Sequence, residues 1–320
     1  MVREGLIRVI LTVTLNTAVD LTYRVPRLEQ HGSHHIREVT ERPGGKGLNV
    51  ARVLAALGHD AVVTGFVGGR TGEELRALLS AAPGSNRLTD ALVPVGGSTR
   101  RTVAVVDEAT GDTTQLNEPG PHITPEEWAA FLTAYGELLP GATAVALCGS
   151  LPPGVPVGAY ATLVREARGA GVPVLLDTSG EPLLRGLAAR PDVVKPNIDE
   201  LAGITGTSEP LRAAREARRR GANAVAASLG ADGMLTVTPD AAWRAAPPAR
   251  LSGNPTGAGD SAVAGLLSGL VENLPWPDRL ARAVALSAAS VRARVAGEFD
   301  ADAYAELLPQ VVVTDQPLAA

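Results

Sequence analysis

Leu6-Ile-Arg-Val-Ile-Leu-Thr-Val-Thr-Leu15 is apolar along nearly its whole length, broken only by Arg8 and two threonines. A strand with one wet face alternates apolar and polar residues. A run that is apolar throughout reads instead as a strand buried on both faces, as in a parallel sheet covered by helices. The same reading fits Ala61–Val67, Ala142–Cys148, Val172–Asp177, Val193–Lys195 and Ala224–Ser228. Helical stretches lie between them. Lys46–Leu57 has apolar residues at 50, 53, 54 and 57, with Gly58 as a stop. Glu73–Ala82 is another helix, and Thr124-Pro-Glu-Glu127 is a capping box that opens a helix to about Leu139. Helices near 258–272 and 277–295 follow. This alternation predicts an α/β fold: a central, mostly parallel sheet with helices on both faces.

Two segments break the rhythm. Thr22–Thr40 is polar and carries His31, His34 and His35; Arg100–Leu116 is two β-like runs around Glu108-Ala-Thr-Gly-Asp112, a hairpin signature. Neither has a helix beside it. They predict a small β-sheet lid, inserted at about 22–40 and 100–116 into one domain spanning residues 1–320. The three histidines lack a metal-ligand spacing and read as lid residues.

The chain of 320 residues is 45% apolar and 20% charged, enough for a large core. Its net charge of −5 lacks the basic excess of a nucleic-acid binder. One cysteine, Cys148, excludes an intramolecular disulfide and reads as a core residue. No run approaches the ~18 apolar residues of a membrane span, and the N-terminal run lacks the basic flank and cleavage site of a signal peptide. A cytoplasmic protein is expected, with neither nucleic acid nor membrane as a partner.

The chemistry concentrates in two glycine-rich helix starts. Asn254-Pro-Thr256-Gly-Ala-Gly-Asp260-Ser-Ala-Val-Ala-Gly265 is a turn of small residues opening a helix. Unpaired N–H groups at such a start, with the dipole behind them, favour an anion, and Gly257, Ala258 and Gly259 leave room for a phosphate to reach the backbone. A carboxylate at Asp260 can then take the proton of an attacking hydroxyl. Gly257-x-Gly259-x-x-Ala262 also fits a dinucleotide fingerprint, but that motif belongs after the first strand of a βαβ unit, only about 60 residues follow here, and Asp260 would repel a pyrophosphate. The chain has no Gly-x-x-x-x-Gly-Lys-Ser/Thr loop. The second start is Pro43-Gly44-Gly45-Lys46-Gly-Leu-Asn49. Lys46 and Asn49 share a face of its first turn, a cation beside an amide that suits a polyhydroxylated anion. Taken alone, this segment reads equally as a simple turn.

Together the two motifs closely resemble the signatures of the PfkB (ribokinase-like) carbohydrate kinases. The likeness continues through Leu15-Asn16-x-x-x-Asp20, Gly149-Ser-Leu-Pro-Pro-Gly154, Lys195-Pro-Asn197-x-x-Glu200 and Ser228-Leu-Gly230-Ala-Asp-Gly233. The Gly-Gly-Lys-Gly form and Thr99-Arg100 look like the 1-phosphofructokinase and tagatose-6-phosphate kinase branch, and Asn117-Glu118 resembles the 1-phosphofructokinase pattern more than the tagatose one, so fructose 1-phosphate is the expected acceptor and tagatose 6-phosphate the alternative. The resemblance implies a ribokinase-like fold, ATP as co-substrate, Mg²⁺, and a sugar-phosphate acceptor. It implies that Asp260 is the base and Gly257 to Gly259 the anion hole. Asp20, Gly44, Gly45 and Asn49 would hold sugar hydroxyls, and Lys46 and Arg100 phosphate. Lys195, Asn197, Glu200, Ser228, Gly230 and Thr256 would serve the nucleotide, with Glu200 meeting the metal through water. Lids of this family often pair two subunits, which leaves a homodimer through the lid open. Where the branch has Leu-Asn-Pro, this chain has Leu15-Asn16-Thr17.

Other readings stand beside these. Asp20 alone reads as an Asp closing a turn at a strand end. Gly149–Gly154 reads as a structural loop bordering the sugar. Asn197 and Glu200 form a cap-like pair, compatible with a ligand role. Of Arg100 and Arg101, alternation sends only one toward the substrate. Besides fructose 1-phosphate and tagatose 6-phosphate, an unphosphorylated sugar or nucleoside remains as acceptor, and a ligand sensor without catalysis remains as a different class; Lys46 and Arg100 oppose the former and Asp260 the latter.

Overall fold

The computed structural model describes residues 9–317 apart from Arg37, Arg250, Ser252, Asn254 and Arg294; residues 6–8 of the expected first strand and Asn254 of the glycine motif that carries Asp260 therefore lie outside the described residues. The opening run is a strand over Val9–Thr14 whose side chains feed both faces, with Leu11 and Val13 in one core and Ile10 in the other. Its neighbour Ala142–Cys148 divides in the same way. On one face Val145 and Leu147 meet the helices Pro125–Leu138 and Ala159–Gly169. On the other, Ala144, Ala146 and Cys148 leave space for the helix Ala258–Val271. This is why the sequence shows no polar alternation.

The strands Leu88–Asp90, Ala61–Val67, Val9–Thr14, Ala142–Cys148, Val174–Asp177, Val193–Val194 and Ala224–Ser228 lie parallel in that spatial order. Beyond them Met234–Val237, Ala242–Ala246 and Val312–Gln316 add an antiparallel edge. The sheet is mostly parallel, as expected. The antiparallel edge was not legible, because its strands are short and Ala242–Ala246 is dominated by alanine, which prefers helices. The chain leaves Val9–Thr14 on one side for Ala61–Val67 and returns on its other side as Ala142–Cys148. Strand order reverses there, and open α/β sheets bind ligands at the carboxyl ends flanking such a point.

A second sheet has the order Val39–Gly44, Ala18–Val25, Arg100–Asp107, Thr113–Asn117, with its middle pair parallel and the rest antiparallel. It reaches further than the expected 22–40 and 100–116 segments. Ala18–Val25 follows the first strand after the three residues 15–17, so Asp20 lies within a strand and does not close a turn. Arg100 and Arg101 do part: Arg100 is half-buried, and Arg101 is exposed beside Glu118 at 3.6 Å. Among the described residues no helix is long and apolar enough to cross a membrane.

The helix Ala258–Val271 is locked against Trp276–Val291 by a close backbone approach. A Cβ at Gly265 would lie 2.7 Å from the Ala283 Cα, a backbone atom that cannot swing away. Gly265→Ala should therefore force the helices apart and destabilise the protein by about 1–3 kcal/mol. Urea unfolding checks this, with a lowered midpoint at unchanged slope as the expected result.

Candidate active site

Helix starts far apart in sequence meet at the switch point. Asn49, in the first turn of Lys46–Ala56, donates from Nδ2 to Asp260 Oδ2 at 2.9 Å, and Asp260 lies in the first turn of Ala258–Val271. Asp177, the last residue of its strand, is 1% exposed. Lys46 Nζ and Lys195 Nζ each stand 3.4 Å from its carboxylate. Asp177 holds the Lys46 ammonium above the ordinary lysine range despite burial, with a smaller contribution from Asp260. The Asp260 carboxyl is raised to about 6: burial pushes it up most, Lys46 pulls it down, Asp177 pushes it up, and the Asn49 bond and Lys195 pull it down.

Two hollows flank this cluster. The smaller, about 880 Å³, is walled by Thr14, Asn16, Gly45, Lys46, Arg100 and Glu200, among others. The larger, about 1280 Å³, is walled by Asn197, Ser228, Gly230, Ala258, Gly259 and an apolar group that includes Ala262, Val284 and Val291. Gly259 belongs to one wall and Lys46 to the other, with Asp260 sequence-adjacent to the first and charge-coupled to the second.

Beside the smaller hollow, next to Gly45 of its wall, Gly44 is required by Asp20: a Cβ there would lie 2.1 Å from Asp20 Oδ1. The Thr102 hydroxyl donates to the same oxygen. Burial raises the Asp20 carboxyl, opposed by that bond and by the charges of Arg100 and Arg52. Arg100 donates to the carbonyls of Asn16 and Glu118, each at 3.3 Å. Asn16 donates to the Pro119 carbonyl and to Ser150 Oγ. Asn16 Oδ1 and Thr14 Oγ1 are buried here without a hydrogen-bond partner among the described residues. A buried acceptor left so is costly, and a polyhydroxylated ligand could satisfy it.

Toward the larger hollow, Gly257 has φ +87°, and a Cβ on it would meet the Ala296 Cα at 2.8 Å, so only glycine makes this turn. The Ala258 N–H donates to the Pro255 carbonyl at 3.1 Å and is committed to the turn. A Cβ at Gly259 would lie 3.6 Å from Lys195 Nζ, so that ammonium sits beside the helix start. Asn197 and Glu200 form a reciprocal capping box at 2.8 Å each way on the helix Ile198–Thr205. Asn197 borders the larger hollow and Glu200 the smaller. Thr256 precedes the Gly257 turn. Cys148 is fully buried, its thiol pushed up by that burial, which suits a core residue.

Asp177, Asn16 and Arg52 belong to this surrounding and were not singled out as site residues from sequence. A signal existed for two of them. Asp177 closes an apolar strand with a charge at its carboxyl end, and Arg52 interrupts the buried face of a helix. The apolar wall of the larger hollow carries no such signal.

Three comparisons bear on the arrangement. The model of the pfkB family carbohydrate kinases matches residues 12–302. A 1-phosphofructokinase of Rhodobacter capsulatus is 41% identical over 287 residues, covering 87% of this chain and 90% of that one. Among solved structures, phosphofructokinase-2 from Escherichia coli in complex with fructose-6-phosphate superposes with a TM-score of 0.86 at 30% identity, over 95% of this chain and 99% of the other. A possible 1-phosphofructokinase from Thermotoga maritima gives 0.88 at 26% identity, over 97% and 100%.

Because Asp260 ionises near 6 in the folded protein and near 3.8 when free, the native state holds a proton that the unfolded chain releases. The stability this proton contributes is complete below the lower value and is lost as pH rises through about 6. Asp260→Asn should therefore become more stable relative to wild type between pH 4 and pH 8, by on the order of 1–3 kcal/mol. Thermal melts of both proteins across that range measure the difference.

Proposed function

The chain belongs to the pfkB family of carbohydrate kinases, phosphotransferases that draw on ATP, and we propose that its acceptor is fructose 1-phosphate, phosphorylated on the 6-hydroxyl with Asp260 as general base. The seat of Asp260 carries this reading: a buried carboxylate, held by Asn49 at 2.9 Å, between a hollow walled by Lys46 and Arg100 and one walled by Gly259. The relative from Rhodobacter capsulatus, named 1-phosphofructokinase, supports the choice of acceptor.

In this mechanism the sugar lies in the smaller hollow, with its hydroxyls on Asp20, Asn16 and the Gly44–Gly45 backbone. Arg100 takes its phosphate. The nucleotide base occupies the apolar wall of Ala262, Val284 and Val291, next to Ser228 and Gly230. The γ-phosphoryl group meets the N–H groups of Gly259 and Asp260 at the helix start, with the ammonium groups of Lys46 and Lys195 opposing its charge. The acceptor oxygen attacks γ-phosphorus, its proton passes to Asp260, and ADP departs with the bridging oxygen. Asp177 steers both lysines, and Asn49 aims the base.

Among the described residues no group of three His, Cys, Asp or Glu side chains could cage a metal. Mg²⁺ needs only one or two carboxylates beside its waters and the substrate phosphates, and the Glu200 carboxylate on the wall of the smaller hollow suits that role. Glu200 would hold it through water, since the cap uses Oε2 alone; when bound, the ion neutralises phosphate charge. The chain acts as one kinase unit whose small sheet closes over the acceptor hollow, excluding water from the γ-phosphate.

An ATPase-coupled assay tests the reading across fructose 1-phosphate, fructose 6-phosphate, tagatose 6-phosphate, fructose and a nucleoside. Fructose 1-phosphate should give the highest kcat/KM; a lead by another sugar phosphate removes the acceptor assignment, and a lead by fructose or the nucleoside also removes Arg100 as a phosphate ligand. Asp260→Asn should lose about 10²–10⁴ in kcat while both ligands still bind by calorimetry. In wild type, kcat/KM should fall on the acid side with a midpoint at about 6, where Asp260 takes up its proton. Arg100→Ala should lower kcat/KM for the sugar phosphate by roughly 30-fold and narrow its advantage over fructose.

A further inference from the structure

Glu298 lies in the segment after the helix Trp276–Val291, outside every motif of the nucleotide and acceptor sites. Its carboxylate is shared by two cations. Arg52 Nη2 donates to Glu298 Oε1 at 2.7 Å, and Arg42 Nε stands 3.6 Å from the same oxygen. Arg52 is 3% exposed; burial lowers its affinity for a proton, Glu298 opposes that loss, and the charge of Arg42 adds to it. Its Nε has no partner among the described residues. A cation so buried depends on its carboxylate, and here that carboxylate also answers to a second cation, on the small sheet.

Each arm of the cluster ends on a ligand site. Arg42 belongs to the strand Val39–Gly44 and sits directly opposite Asp20 in the small sheet, two residues before the Gly44–Gly45 pair of the acceptor hollow. Arg52 stands one turn beyond Asn49 on its helix, and its Nη1 donates to the Ala296 carbonyl at 3.0 Å. Ala296 is the residue packed against Gly257: a Cβ on Gly257 would be 2.8 Å from both the Cα and the Cβ of Ala296. A Cβ on Gly297 would lie 2.9 Å from Asn49 Oδ1, so the same segment backs the amide that aims Asp260.

We propose that Glu298 is a positioning residue that couples the two substrates: through Arg42 it registers the end of the small sheet on the acceptor, and through Arg52 it presses Ala296–Gly297 against the Gly257 turn that receives the nucleotide phosphates. The coupling rests on the reading of the smaller hollow as the acceptor site. A sugar bound to Asp20 and Gly44–Gly45 fixes the strand that carries Arg42. That strand then holds Glu298, and Glu298 holds the wall of the anion hole. Binding of either ligand lowers the cost of ordering the other's site, so the effect is reciprocal.

The test is calorimetry of β,γ-methylene ATP with and without a saturating amount of the sugar phosphate that the wild-type enzyme phosphorylates best. In wild type the sugar phosphate should tighten the analogue about fivefold, the scale of a weak coupling carried by a half-exposed ion pair. Arg42→Ala, a surface change that leaves the Arg52–Glu298 bond in place, should bring the effect below about twofold while the affinity without sugar stays at the wild-type value. Arg42→Lys should restore it, and Glu298→Gln, which keeps an acceptor for Arg52 but loses the charge, should abolish it. Raising ionic strength should erode the wild-type coupling and leave Arg42→Ala unchanged. Absence of coupling in the wild type, or its survival in Arg42→Ala and Glu298→Gln, overturns the inference. If no sugar phosphate in the panel is phosphorylated, it is the acceptor reading that fails.

Discussion

A carboxylate that is 1% exposed must be matched by cations, and at Asp177 that demand organises the site. Its two partners come from different parts of the chain: Lys46 from the first turn of a helix and Lys195 from just beyond a neighbouring strand, each at 3.4 Å. Removing the buried Lys195 would leave Asp177 poorly matched, a change that typically costs about 3–5 kcal/mol, whereas the Lys46 side chain is 41% exposed and contributes less. The result is that two flexible ammonium side chains are held at the mouth of the helix that carries Asp260. With Asp260 ionised, two carboxylates face two ammonium groups. The local charge is then balanced, and an arriving phosphate meets cations already oriented.

That balance sets the properties of Asp260. Burial, helped by Asp177, raises its carboxyl to a net value of about 6 against the opposing pull of Lys46, Asn49 and Lys195. The outcome is a group that is ionised near neutrality yet still holds a proton firmly enough to take one from a hydroxyl. An isolated buried carboxylate would stay protonated, and a fully solvated one would be too weak a base. The helix bearing Asp260 reaches this position because Ala144, Ala146 and Cys148 on the sheet and Gly265 on the helix itself leave room for it. Small residues in the core are thus part of the site's geometry, although none of them touches a ligand.

The small sheet is joined to this framework at both of its inner strands. Ala18–Val25 carries Asp20, which lies against the bare backbone of Gly44, and Arg100–Asp107 carries Arg100, anchored to the carbonyls of Asn16 and Glu118. Arg100, Asn16 and Glu118, which wall the acceptor hollow, therefore also fasten the sheet beside it. A displacement of that sheet cannot leave the hollow unchanged.

The layered α/β architecture, the capping box at Thr124 and the two glycine-rich helix starts were legible from sequence, because each rests on local physics. A strand buried on both faces has to be apolar throughout, a helix start exposes N–H groups, and a turn like that at Gly257 excludes a side chain. Motif residues Lys46, Asn49 and Asp260 stand out for the same reason. The alanine-rich antiparallel edge did not, since alanine carries no strand signal, and the small sheet starts earlier than expected because the break between Thr14 and Ala18 carries no glycine or proline to mark a strand end. Asp177 and Arg52 carry a local signal that something unusual sits there, and Glu298 carries none, but the role of all three comes from partners 131, 246 or more than 250 positions away: Lys46 for Asp177, Glu298 for Arg52, and Arg42 for Glu298. Periodicity and motif spacing report what a residue does for its own element. Which charges share a buried space, and so which of them can be ionised there, is decided only when the tertiary fold brings them within about 4 Å and excludes the water between them.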